Sequence, residues 1–62
     1  VDESIREGDI GMTQGRLAPM GKVRVGDSVV EAESRSGYIE GNREVVVLKV
    51  YKNKIVVKLK TE

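Results

Sequence analysis

The most regular alternation of apolar and polar positions lies between Glu44 and Lys60. With Lys52-Asn53 as a two-residue loop, Tyr51 faces Lys54, while Val50, Leu48 and Val46 face Ile55, Val57 and Leu59. Three apolar pairs then share one face, and a slip of one residue would turn all of them outward. The pattern predicts a hairpin whose other face carries Lys49, Lys54, Lys58 and Lys60, with Lys52 at the loop. A second hairpin is predicted around Gly26-Asp27, because glycine at the first central position suits a type II′ turn. That turn sets Val25 opposite Ser28 and Val23 opposite Val30. Val23, Val25, Val30 and Ala32 then share the inner face, and Lys22, Arg24, Glu31 and Glu33 the outer one.

Ile10 to Leu17 mixes strand-forming residues with Gly11 and Gly15, which predicts a curved first strand, since glycine inside a strand marks a bulge or close backbone approach. Pro19 fixes its own φ and pushes Ala18 toward extended geometry; with the permissive Gly21 it makes a corner. Ser34 to Asn42 is too short and glycine-rich for a helix of its own and predicts an irregular connector between strands 3 and 4. Tyr38 or Ile39 is expected to plug an open barrel end. Residues 1–9 read as a charged lead-in and residues 10–60 as one domain. The expected fold is all-β: a small five-stranded barrel.

Composition supports strands and removes most chemistry. Eleven valines stand beside only two aromatic residues, Tyr38 and Tyr51, which favours pleated, half-buried surfaces. A chain of 62 residues builds a small core, and without cysteine no disulfide supplements it. Eleven basic residues against ten acidic ones leave a net charge of +1, far from the basic excess of a dedicated nucleic-acid domain. The absence of His and Cys removes an imidazole base, a thiolate nucleophile and the commonest metal ligands. Gly8, Gly11 and Gly15 lack the Lys and Ser or Thr of a phosphate loop. Glu31 and Glu33 point outward from one strand, with no burial to separate their pKa values. Asp2, Glu3 and Glu7 read as a solvated charge run rather than a metal cluster. No enzyme, cofactor or metal is expected. No apolar run approaches the roughly 20 residues that cross a bilayer, and a chain opening on Val1 is expected to be a fragment of something longer.

In order along the chain stand Gly11, then Leu17-x-Pro19-x-Gly21, then Gly26, Ala32, Gly37 and Ile39, then the valine-rich hairpin from Val45 to Val57. This ordered set resembles the C-terminal soluble domain of the NfeD family, over about four fifths of the chain. The resemblance implies an OB-type barrel, attached in longer members to transmembrane helices and in some to a Ser–Lys membrane protease. It also implies a non-catalytic interaction module. Its associations would be with stomatin- and flotillin-like scaffolds and membrane protein quality control, on the cytoplasmic side of the membrane. No catalytic residue carries over.

The candidate interaction surface is therefore Tyr38 with Lys49, Lys52, Lys54, Lys58 and Lys60. Such a lysine face can bind phosphate-rich partners or anionic lipid head groups, or it can simply be solvated and deter edge-to-edge pairing. An OB-fold module for single-stranded nucleic acid is the alternative, disfavoured by the scarcity of stacking aromatics. A lipoyl- or biotinyl-type carrier is a third, and Lys52-Asn53-Lys54 lacks its flanking methionines. The oligomeric state is open.

Overall fold

The computed structural model of the chain describes residues 5–60. Five strands follow one another: β1 (Ile10–Thr13), β2 (Met20–Val25), β3 (Ser28–Ser34), β4 (Glu44–Val50) and β5 (Ile55–Leu59). They close into a barrel in the order β1-β2-β3-β5-β4, with β3 and β5 parallel and every other pair antiparallel. There is no helix among the described residues. This is the OB-type barrel expected.

The β2–β3 hairpin has the register that its turn and pattern dictate. Val25 lies opposite Ser28 and Val23 opposite Val30, and Gly26 takes the positive φ of 61° that the turn requires. Val23 and Ala32 are buried, Val25 and Val30 pack against them, and Lys22 meets Glu31 on the outside at 3.1 Å.

The β4–β5 hairpin departs from expectation. Val50 does lie opposite Ile55, but a bulge between Val47 and Lys49 then shifts the pairing, so that Val47 faces Val57, Val46 faces Lys58 and Val45 faces Leu59. The expected partners Leu48 with Val57 and Val46 with Leu59 are not formed. Beyond the bulge, Val45 and Val47 turn inward and are buried, whereas Val46 and Leu48 are only half-buried. A bulge bends its strand and increases its local twist, which a five-stranded sheet needs in order to close. The run Val45-Val46-Val47-Leu48 tolerates the shift because either parity presents apolar side chains to the core.

Two further expectations are corrected. The first strand ends at Thr13 instead of continuing to Leu17, which makes an isolated bridge to Ile39. Ile5, read as part of a lead-in, belongs to the core with Leu17, Val23, Ala32, Ile39, Val45, Val47, Ile55 and Val57. The chain behind it is fastened by the Gly8 N–H donating to the Val47 carbonyl (2.7 Å) and the Val47 N–H donating to the Asp9 carbonyl (2.8 Å). Residues 1–4, including Asp2 and Glu3, lie outside the described residues.

Gly21 serves by size rather than by φ. A Cβ there would stand 2.4 Å from Leu17 Cδ2 and 2.7 Å from the Arg16 carbonyl oxygen, so β2 passes directly over the loop that buries Leu17. Gly21→Ala is expected to lose about 1–3 kcal/mol through overpacking. Gly15→Ala, with open space around its Cβ, should change stability by no more than about 0.5 kcal/mol. Parallel urea titrations of the two variants check this, and equal midpoints would refute the close approach.

Candidate interaction surface at the barrel mouth

Because β3 and β5 run parallel, both end at the same mouth of the barrel, and the connector 35–43 crosses it. The connector is stitched down along its length. The Ser34 N–H donates to the Pro19 carbonyl (2.7 Å), and the Ser36 N–H to Ser34 Oγ (3.1 Å). Gly37, at φ 85°, then turns the chain back over the mouth. Ile39 and Leu17 exchange both backbone hydrogen bonds, at 2.8 and 2.9 Å. This seats Ile39 as the plug, almost fully buried, and leaves Tyr38 62% exposed.

Thr13 anchors the far end of the connector. Its fully buried hydroxyl donates to the Glu40 carbonyl (2.8 Å) and accepts from the Arg43 N–H (2.9 Å). Its backbone N–H donates to the Arg43 carbonyl, and its carbonyl accepts from the Asn42 N–H, both at 2.9 Å. A polar side chain at the end of an inward-facing row is thereby satisfied completely, which is what its burial demands.

Beside the connector opens a cavity of about 320 Å³ lined by Tyr38, Ile39, Glu40, Arg43 and Leu59. Its two charged lining residues are paired with each other, Arg43 with Glu40 at 3.2 Å, and Lys60, next in sequence to the lining Leu59, is paired with Glu44 at 3.8 Å.

The residues singled out from sequence fall into two groups. Tyr38, Lys58 and Lys60 stand around this mouth, whereas Lys49, Lys52 and Lys54 stand toward the opposite end, where β4 turns into β5. At about 3.3 Å per residue, Lys54 and Lys60 are roughly 20 Å apart along the strand. At the far end, Lys54 Nζ meets Glu33 Oε1 at 2.5 Å and lies 5.8 Å from the centre of the Tyr51 ring. The hydrogen bond to Glu33, then its charge, hold the Lys54 pKa above the ordinary lysine value, so the ammonium stays charged throughout the neutral range. Tyr38 and Tyr51 sit at opposite ends and form no shared stacking platform. Sequence reading missed Thr13, Arg35, Arg43 and Leu59 at the mouth. Leu59 reads in the sequence as an ordinary apolar pair of the final hairpin, and Thr13 carries no local signal, since its partners lie 27 and 30 residues away.

No group of carboxylates suited to a metal ion occurs among the described residues. No family model matches the chain, and neither does any curated protein. Among solved structures the chain is similar to the C-terminal domain of stomatin operon partner protein 1510-C from Pyrococcus horikoshii. The TM-score is 0.85 and the identity 26%, over 90% of this chain and 89% of that one. The resemblance read from Gly11, Leu17-x-Pro19-x-Gly21, Gly26, Ala32, Gly37, Ile39 and the final hairpin is thus upheld: the fold is similar, over nine tenths of the chain, to the C-terminal domain of an NfeD-type stomatin operon partner protein.

Proposed function

We propose that the chain is a non-catalytic protein-contact domain of an NfeD-like membrane protein, acting with stomatin- or flotillin-type scaffolds in membrane protein quality control. The observation that carries this reading is the likeness, across nine tenths of the chain, to a domain of a stomatin operon partner protein. The contact surface is the lysine-bearing flank of β4 and β5 together with Tyr38, in the two groups described above. No helix among the described residues is long and apolar enough to cross a membrane. In this reading the barrel is a soluble domain on the cytoplasmic side of the membrane, and its parent protein is membrane-embedded.

The test is a titration of the isotope-labelled chain with a purified stomatin-type scaffold domain, followed by amide chemical shifts. Saturable shifts on the β4–β5 flank are expected. Silence at about 1 mM partner, where a complex with a Kd of that order would be half occupied, would overturn the reading. Saturable, salt-sensitive shifts with a single-stranded oligonucleotide would replace it with nucleic-acid binding.

A further inference from the structure

We propose that the barrel mouth takes an extended peptide of alternating aliphatic and acidic residues, added as a short strand along the edge of β5 at Leu59. This rests on the protein-contact reading above and assigns to it a place and a partner chemistry.

The backbone supplies the first reason. β3 pairs with β5 only as far as Ser34 opposite Val57, after which the Arg35 N–H donates to the Val57 carbonyl (2.8 Å) and the connector turns away. On the other side, the Lys60 N–H donates to the Glu44 carbonyl (3.0 Å), which makes Glu44 and Lys60 a hydrogen-bonded pair. The alternation of an antiparallel ladder then makes Val45 and Leu59 a non-hydrogen-bonded pair. The Leu59 N–H and carbonyl are therefore directed away from β4, toward the position that β3 has vacated. Among the described residues no backbone group meets them. An open edge of this kind is what an incoming extended peptide pairs with.

The cavity supplies the second. It lies beside that edge, with the buried Ile39 as its floor and the exposed Tyr38 and Leu59 as apolar walls. Its volume is at the low end of the roughly 300–1,000 Å³ of small-molecule pockets. That suits one or two aliphatic side chains better than a cofactor.

Charge supplies the third. Glu40 is held by Arg43 and Glu44 by Lys60. Arg35 and Lys58 each follow directly on the last paired residues of β3 and β5, Ser34 and Val57, and neither has a carboxylate partner among the described residues. The described mouth therefore keeps cations without a carboxylate partner, Arg35 and Lys58 among them, beside the open edge. Successive side chains of a strand point to opposite faces, so a peptide that places an aliphatic residue in the cavity turns its neighbours toward these cations. Acidic neighbours would be attracted and basic ones repelled.

The test uses the whole chain, isotope-labelled, and the blocked peptide acetyl-Asp-Leu-Glu-Val-Asp-amide. Saturable shifts are expected at the amides of Arg35, Ile39 and Leu59, with hydrogen exchange at Leu59 slowed tenfold or more at saturation. Lys58→Glu is expected to weaken binding about tenfold, which corresponds to about 1.4 kcal/mol. Arg24→Glu, the same charge change on the outer face of β2, should leave affinity unaltered. The peptide with lysine in place of every acid should not bind. Silence at about 1 mM, equal affinity of the Lys58→Glu variant, or shifts centred on the outer β1–β4 face around Ile10, Met12 and Val46 would each overturn the assignment. If a stomatin-type partner still binds when the peptide does not, the mouth is wrong and the contact reading stands. If neither binds, both fall.

Discussion

Leu17→Ala is expected to cost about 2–5 kcal/mol, the range for deleting a buried leucine side chain. Leu17 is fully buried, and its backbone is one half of the two-bond bridge that seats Ile39. The truncation opens a cavity at the junction of the barrel with its connector. That junction has little freedom to collapse, because Gly21 already lies against the Leu17 side chain. At roughly 0.05–0.15 kcal/mol per residue, a domain of this length has only about 3–9 kcal/mol to lose. The variant should therefore melt at least about 8 °C lower, given about 4–8 °C per kcal/mol for so small a domain. Thermal unfolding followed by circular dichroism measures this. Val29→Ala, at a strand position 53% exposed, is the companion variant and should stay within about 0.5 kcal/mol of the parent. Equal losses in the two would mean that Leu17 does not occupy the core.

The two hairpins show what the sequence could and could not reveal. In β2–β3 every signal agreed: a glycine-led turn, strict alternation, and opposite charges at the outward positions Lys22 and Glu31. A one-residue error there would have buried charge, so the register was legible. In β4–β5 the turn was also legible, and Val50 opposite Ile55 follows from it. Past Lys49 the chain reads Val45-Val46-Val47-Leu48, and an unbroken apolar run carries no parity. The bulge bends β4 within a closed barrel, and closure is a property of the whole sheet that no local pattern records. Ile5 escaped for a related reason: an isolated apolar residue among charges looks like a loose end until the fold brings Val47 against its neighbours.

The candidate surface failed to appear as one patch for a geometric reason. Lysines at alternate positions of a strand share a face, and that much the alternation predicts. Their distance along the strand and the place where the connector lands depend on topology. Parallel pairing of β3 with β5 brings Tyr38 to the end of β5 that carries Lys58 and Lys60, and leaves Lys52 and Lys54 at the other end. The mouth is thus a product of strand order. Its apolar floor, its open Leu59 edge and its unmatched cations come from segments that are remote in sequence.

Thr13→Val is expected to cost about 2–4 kcal/mol, although it preserves shape and adds apolar surface. The hydroxyl is the shared partner of the Glu40 carbonyl and the Arg43 N–H. Without it both backbone groups lose their partner in part-buried bonds, and each group so stranded costs up to about 1–3 kcal/mol. The backbone bonds between Thr13 and residues 42 and 43 survive the change, so the loss should be local as well as global. Amide exchange of Arg43 should accelerate ahead of that of Val57 in β5, because local opening of the connector needs less free energy than opening the barrel. Thr13→Ser keeps the hydroxyl and should recover most of the stability, giving up only the packing of a methyl group. Were the serine and valine variants to lose stability equally, packing rather than hydrogen bonding would be what Thr13 provides. The valine variant should also bind the acidic–aliphatic peptide less tightly, since Glu40 and Arg43 wall the cavity from the segment that Thr13 fastens.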